Sequence, residues 1–290
     1  MEEKIICPIC HSDKINFYSE KNKCQTYCCT ICGLAFVYPI SEDFKKIYGQ
    51  DYFKNESGGS FGYSDYDRDK EPMRGVFVSY LKDIENKVEG RKIFDVGCAT
   101  GYFLDIARDR GWQTGGMEIS EYAAKEASER GHGIFFGNFS EEEIKGKFDV
   151  VTMWDVLEHL DNPLKYLKTA NRILTEDGFL LINTINRESL WAKILNKRWH
   201  LFIPPEHLFY YTPKSLETLL KNNGFQIEKM KSAGKNFSLS YIFGTLYHWQ
   251  KLKFWNNLSK IFDKPFWRKF SLPINLGDNI LIIAKKIKNV

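Results

Sequence analysis

The sequence has no long apolar stretch. A helix that crosses a bilayer needs roughly 20 consecutive apolar residues. The longest candidate, Phe237 to Trp249, is shorter and carries His248. A secretory leader pattern is missing too, since Met1-Glu2-Glu3-Lys4 runs directly toward Cys7. Together these absences disfavour secretion and membrane spanning, and they set a cytoplasmic expectation. Charge of one sign is also scarce. The net charge is +4 over 290 residues, too weak by itself to ask for nucleic acid. In a reducing compartment the seven cysteines point to metal ligation rather than to disulfides.

Aromatic residues are plentiful, at 15%. They gather near 36–80 and 191–270, where an aromatic pocket, a lid or simply extra core is expected. The C-terminal part is locally basic, with nine Lys or Arg between Lys251 and Lys288 against Asp263 and Asp278. A solvated basic face is the plain reading, and an anionic or membrane-surface partner is the sharper one.

The clearest motif is a pair of C-x-x-C knuckles. Cys7-Pro-Ile-Cys10 is followed, after eighteen residues, by Cys29-Thr-Ile-Cys32-Gly33. Each knuckle lets two sulfurs converge on one ion, and four thiolates close a tetrahedral zinc shell, so the site is expected to be structural. Cys28 could stand in for Cys29, but the Cys29/Cys32 spacing mirrors Cys7/Cys10 and is preferred. A segment of about 40 residues buries too little apolar surface to fold alone, and metal would supply the deficit. A zinc ribbon is therefore expected over residues 1–40.

Residues 91–96 read as a buried strand, Gly97-Cys98-Ala99-Thr100-Gly101 as a loop, and Tyr102 to Arg110 as a helix. Strand, glycine loop and helix form a generic nucleotide-binding opening. The dinucleotide fingerprint G-x-G-x-x-G is not met, because its third and sixth positions hold Ala99 and Tyr102. NAD and FAD are disfavoured accordingly. Further strands are expected at Trp112–Met117, Gly133–Gly137, Phe148–Met153, Gly178–Thr184, Phe225–Met230 and Asn279–Ala284. Asn162-Pro163 and Thr212-Pro213 read as helix starts.

The run Asp95-Val96-Gly97-Cys98-Ala99-Thr100-Gly101 resembles motif I of the class I S-adenosylmethionine-dependent methyltransferases. The resemblance covers roughly 90–232 plus 277–287. It implies an α/β fold: a Rossmann-like sheet of seven strands, the last antiparallel, with the cofactor at the glycine loop. Asp95, Gly97, Cys98 and Gly101 would wrap its methionine end. Glu118, followed by Ile119, would accept hydrogen bonds from the ribose hydroxyls. Asn138 would meet the adenine edge, Phe139 would pack on the ring, and Asp155 would complete the cofactor set. The small N-terminal zinc ribbon, an aromatic linker and N-terminal helix over 41–88, and a methyltransferase domain over 89–290 complete the layout, with lid insertions near 186–212 and 234–276. In the linker, Tyr48, Tyr52, Phe53, Tyr63, Asp65 and Tyr66 are expected to close over the cofactor.

Methyl transfer needs a positioned acceptor and a base near the methyl group. Trp154-Asp155-Val156-Leu157-Glu158-His159 follows the fourth strand and resembles the corresponding motif of family members that methylate small molecules. His159 is the first candidate base, because an imidazole titrates near neutrality. Glu158 could orient a substrate or help bind a metal, since quinone-precursor O-methyltransferases have a similar Glu-His pair in a metal-dependent site. His207, in Pro204-Pro205-Glu206-His207, is the second candidate. The resemblance favours oxygen, or less readily carbon, as the acceptor atom. It also favours a sugar, a nucleotide sugar or a glycan intermediate as the acceptor, though no residue reads the sugar. An RNA acceptor is disfavoured, because no Asp/Asn-Pro-Pro-aromatic motif follows strand four. A lipid-linked acceptor reached by peripheral membrane contact through 236–276 is a further reading.

Overall fold

The architecture follows from strands that are apolar on both faces. The computed structural model describes residues 4–40, 66–139, 144–264, 266–267 and 270–287. The expected aromatic linker residues Tyr48, Tyr52, Phe53, Tyr63 and Asp65 lie outside them; Tyr66 lies inside. In the strand β4 (Lys92–Val96) every residue after Lys92 is buried, as a parallel strand covered on both faces requires. It lies between β5 (Gln113–Glu118) and β7 (Phe148–Trp154), parallel to both. β6 (Gly133–Phe136), β8 (Leu174–Ile185), β10 (Phe225–Ser238) and β11 (Ser271–Lys286) complete a seven-stranded sheet ordered β10-β11-β8-β7-β4-β5-β6. β11 runs antiparallel to both neighbours, as expected of the last strand.

Local chemistry sets the helix starts. Asn162 accepts from the Lys165 N–H at the head of the helix Pro163–Ile173. Thr212 and Ser215 form a reciprocal capping box at the head of Pro213–Asn222. Among the described residues, no helix is long and apolar enough to cross a membrane.

Two expected strands are longer than their apolar cores. β10 and β11 continue past the sheet and pair with each other from Lys235↔Ile274 to Ser238↔Ser271, beyond an irregularity between Ala233 and Lys235. Among the described residues this outer part pairs with no third strand, so it carries no core alternation to read. It bears the helices Leu239–Gln250 and Lys253–Phe262, which pack through Phe243 against Trp255 and Phe262. The insertion near 234–276 is therefore an arm. Much of its apolar surface faces solvent, with Phe254 at 61% and Phe266 at 67% exposure, rather than closing as a lid.

The N-terminal segment forms β1 (Ile15–Lys21), β2 (Cys24–Cys29) and β3 (Ala35–Val37). A fourth strand comes from the distant insertion: β9 (Phe209–Tyr210) pairs antiparallel with β3 through Ala35↔Tyr210 and Phe36↔Phe209. Leu34, Phe36 and Val37 share one continuous apolar core with Phe94, Val151 and Leu208. The N-terminal segment is thus built into the wall above the carboxyl edge of the large sheet.

Candidate functional site

The glycine loop leaves β4 with a backbone that few side chains tolerate. Gly97 has φ +71° and Gly101 φ +88°, and Ala99 between them is also left-handed at φ +50°. A Cβ on Gly97 would lie 2.7 Å from Val156 Cγ2. Gly101 caps the helix Tyr102–Asp109, whose first amides face the loop. The Gly97 and Cys98 N–H groups donate to the Met117 carbonyl at 2.9 and 3.0 Å, fixing the loop to β5.

Glu118 ends β5 beneath this loop and is buried. One carboxylate oxygen accepts the Ala99 N–H at 2.9 Å. The other accepts those of Ile119 and Ser120 at 2.8 and 2.9 Å. Burial raises its pKa, and the three amides oppose that rise. A carboxylate offers about four acceptor sites, so capacity remains for a hydroxyl donor. Asp95 lies close by, fully enclosed, and accepts the Thr152 hydroxyl at 2.5 Å. Burial pushes Asp95 up to about 8, helped by the Glu118 charge and opposed by the Thr152 hydrogen bond. Two buried carboxyl groups beside a glycine loop tied down by its own hydrogen bonds form a cradle for a cationic, hydroxyl-bearing ligand. S-adenosylmethionine, with its sulfonium and ribose, fits that chemistry.

The other expected cofactor residues are placed unevenly. Asn138 is exposed, at the end of β6. Phe139 is a core residue, 1% exposed and packed on Phe94 and Tyr166. Its ring is taken up by the core, which corrects the expectation of stacking on adenine. What this stretch offers an adenine is the Asn138 amide and backbone groups. Asp155 adopts φ +54° after β7. It accepts the Asn183 amide at 2.5 Å and pairs with Lys70 at 3.5 Å. Tyr66 packs against Ala99 and Ala123, and Asp67 accepts the Thr100 hydroxyl. The segment just before the helix Arg74–Glu85 thus lies over the glycine loop.

Glu158, His159 and His207 converge, their ligand atoms all within 4.8 Å of one another. The first two sit on the turn Leu157–His159 after β7, and the third lies 48 positions beyond His159. The imidazoles meet edge to face with centroids 4.7 Å apart. His159 Nδ1 is 2.8 Å from the Glu206 carbonyl, and His207 Nδ1 is 2.8 Å from the Leu201 carbonyl. A carbonyl only accepts, so in the neutral rings both Nδ1 atoms carry the proton and both Nε2 atoms the lone pair. Glu158, 1% exposed, accepts the Thr184 hydroxyl at 2.7 Å. Two oriented imidazoles and a buried carboxylate can relay a proton or hold a divalent cation. The sequence offered His159 and His207 as rival bases, and the fold brings them into one cluster.

Cys7, Cys10, Cys29 and Cys32 form a second cluster, again with all four sulfurs within 4.8 Å. Thiolates at about 2.3 Å from one zinc ion lie about 3.8 Å apart at tetrahedral corners. Cys7 and Cys32 are 3.6 Å apart, and Cys10 and Cys29 3.5 Å. The Cys32 thiol pulls the Cys7 pKa down to about 5, while Cys32 itself is driven up by sharing that bond and by burial. The set fits a four-thiolate zinc ion. Cys28 is outside it, with Arg187 donating to its sulfur at 3.2 Å.

Sequence reasoning missed the partners of these groups. Thr152 and Thr184 were detectable as hydroxyls inside otherwise apolar strands, which must be satisfied when buried. Asn183, Lys70 and Asp67 left no comparable signal.

Comparison with known proteins agrees with the fold. A family model described as a methyltransferase domain matches residues 67–230. The chain belongs to that family. The ubiquinone biosynthesis O-methyltransferase of Haemophilus ducreyi is 30% identical over 155 residues, which is 49% of this methyltransferase and 62% of that protein. The corresponding enzyme of Pasteurella multocida is 27% identical over 205 residues, 59% of this chain and 84% of that one. The chain spans between about half and two thirds of the length of the first curated relatives it matches, 53% to 62%. Among solved structures, an S-adenosylmethionine-dependent methyltransferase from Thermotoga maritima superposes with a TM-score of 0.52 at 20% identity, covering 84% of this chain and all of that one. A second, from Archaeoglobus fulgidus, gives 0.50 at 20% identity, covering 73% and 94%. These two likenesses concern the fold.

Proposed function

We propose that this methyltransferase moves a methyl group from S-adenosylmethionine to an oxygen of a small-molecule acceptor. The observation that carries the proposal is a juxtaposition. The loop from Gly97 to Gly101 with Asp95 and Glu118, and the Glu158, His159 and His207 cluster, both lie at the carboxyl ends of adjacent strands of one open sheet. Ligands bind at that edge in such folds. When bound, the cofactor supplies an electrophilic methyl on a sulfonium. Glu118 accepts from the ribose hydroxyls while keeping the loop closed. Glu118 places negative charge near the sulfonium with the Asp95 carboxyl beside it, and Asn138 lies toward the adenine. His159, through Nε2, takes the proton from the acceptor hydroxyl, and His207 shares or stabilises that proton. Glu158 steadies the imidazolium; in the alternative reading Glu158 and both imidazoles would hold a divalent cation, which would lower the acceptor's pKa in place of His159 acting as the base. Oxygen as the acceptor atom is supported by the name that the Haemophilus and Pasteurella relatives carry. A sugar or glycan intermediate as the acceptor rests on the ribbon-plus-methyltransferase layout alone. The thiolate cluster of Cys7, Cys10, Cys29 and Cys32 holds structural zinc.

The test is a methyl-transfer screen with labelled donor over nucleotide sugars and phenols. Wild type should label one class, and His159→Ala should lower that labelling by about 10²-fold or more. Undiminished labelling by His159→Ala removes it as the base. No labelling, with no donor binding by calorimetry, removes the function.

We also propose that the arm formed by 236–276 touches an anionic membrane surface. Its exposed Leu252, Phe254, Phe266 and Phe270 stand among Lys251, Lys253, Lys260 and Lys264, a mixture suited to the interfacial region. Sedimentation with phosphatidylglycerol vesicles at low salt should carry the protein down, and phosphatidylcholine vesicles should not. Equal behaviour with both would discard this contact.

A further inference from the structure

A cavity of about 230 Å³ lies between the N-terminal ribbon and the insertion that follows β8. It is smaller than the usual pockets for drug-sized molecules, which limits a ligand to about one ring plus one substituent. Tyr18 comes from β1, while Trp199, Phe202 and Tyr210 come from the insertion. Neither segment alone makes the enclosure.

The polar groups that face this space are biased toward donation. Arg187 and Lys193 line it, and among the described residues no carboxylate does. Arg187 stacks on the Tyr18 ring at 5.2 Å, and Lys197 approaches the same ring at 6.0 Å. The Tyr18 hydroxyl donates to Asn196 Oδ1 at 2.6 Å, so the Asn196 side chain is left with its amide N–H groups to offer. Trp199, 3% exposed, adds an aromatic wall. Cations, amide N–H groups and aromatic walls ask for a ligand rich in acceptor oxygens with one flat face.

The cavity also abuts the candidate active site. Tyr210, one of its walls, donates its hydroxyl to the His207 carbonyl at 3.0 Å, and the two rings lie 6.3 Å apart. Arg187 follows the carboxyl end of β8, two residues past Ile185. A ligand held here is one side chain away from the His159–His207 pair.

We infer that this cavity is a binding site for a one-ring anion, a ring bearing a phosphate or carboxylate, and that it grips the anionic handle of the methyl acceptor. The second half of this inference rests on the methyltransferase reading above; the first half does not. Lys193 and Arg187 hold the anion, and Tyr18 and Trp199 flank the ring. The ribbon, on this account, supplies part of the acceptor site.

The experiment is calorimetry on the zinc-loaded full chain, with donor binding measured in parallel. Phenyl phosphate and glucose 1-phosphate are the probes, and phenol and glucose are their neutral counterparts. At least one anion should bind, at least about tenfold tighter than its neutral counterpart, since a hydrogen bond to a charged group carries that much. The tighter of the two anions then says whether the ring is aromatic or a sugar. Lys193→Met, at an exposed position, should weaken the anion about tenfold and leave donor affinity unchanged. Arg187→Met should weaken it further, but Arg187 also donates to the Gly33 carbonyl at 2.5 Å and ties the ribbon down. The Lys193 variant is therefore the deciding one. No anion binding, equal binding of neutral and anionic probes, or an unaffected Lys193→Met overturns the site. Anion binding without donor binding keeps the cavity and removes the methyltransferase reading instead.

Discussion

The Thr212 hydroxyl donates to the Cys32 carbonyl at 2.8 Å, across 180 positions of sequence. The same oxygen accepts the Ser215 N–H at 3.0 Å and so caps the helix Pro213–Asn222. One buried side chain thus joins the second cysteine knuckle to the start of a core helix. Thr212→Val keeps the shape and loses both bonds. A lost cap and a buried carbonyl left without its donor should together cost about 2–3 kcal/mol. Urea unfolding would read this as a lower midpoint at unchanged slope. A midpoint within error of wild type would show that the joint is not tight in solution.

Zinc removal should act through the same joint. The ribbon shares β3–β9 pairing and core packing with the large domain, so stripping the metal should disturb more than residues 4–40. A strong chelator, or Cys10→Ser, is expected to lower the melting temperature and to deprotect the amides of 208–212 in hydrogen exchange. Metal analysis should find one zinc per chain in wild type. Exchange confined to the ribbon would mean that the two parts are energetically separate.

Much of the large sheet was legible because its strands are short, mostly apolar runs that end in recognisable loops. Ile93 to Val96 and Val150 to Met153 are examples, both bracketed by the loop chemistry expected of their family. The β3–β9 pairing was not, because β9 has only Phe209 and Tyr210 and no local pattern distinguishes two aromatics in a strand from two in a lid. Phe139 misled for a related reason. It follows Asn138 at the expected place, but periodicity cannot say whether a ring after a strand turns up to a ligand or down onto Phe94. His159 and His207 were each found as candidates. Their convergence depends on how the chain returns after β8, which single-sequence spacing does not encode.

Glu118 should be required for the donor rather than for folding alone. Glu118→Gln keeps one acceptor oxygen but turns an NH₂ toward the N–H groups of Ala99 or of Ile119 and Ser120. Donor affinity is expected to fall about 10- to 100-fold, the loss of one or two charge-assisted hydrogen bonds. Calorimetry measures this directly. Unchanged affinity in a folded variant would mean that the ribose sits elsewhere.

Asp95 should make the donor-free protein less stable as the solution becomes alkaline. Its folded pKa is raised to about 8, by burial first and then by the Glu118 charge, well above the ordinary value near 3.9. A raised folded pKa means that the fold binds the proton more tightly than the unfolded chain does. The contribution is full below about pH 4 and is lost as pH rises through about 8. Asp95→Asn removes the titration and keeps the contact with Thr152. Wild type should therefore lose melting temperature relative to the variant between pH 6 and pH 9. Parallel curves over that window would show that Asp95 is ionised throughout.

The two imidazoles should fail as a unit. Each Nδ1 faces a backbone carbonyl, of Glu206 and of Leu201, so both rings present Nε2 toward the same region. If they share one proton, His159→Ala and His207→Ala should each lower kcat by about 10²- to 10³-fold, and the double variant should be little worse than the poorer single one. Donor affinity should be unchanged in all three, because neither ring belongs to the glycine-loop cradle. Glu158→Gln separates the two roles left open for the carboxylate. A cation site would make the wild-type rate sensitive to a chelator that leaves the cysteine-bound zinc in place, and Glu158→Gln would abolish that sensitivity. A pure proton relay would show no such sensitivity. Strictly additive losses from His159→Ala and His207→Ala would mean that the rings act independently, with one positioning the acceptor and the other taking its proton.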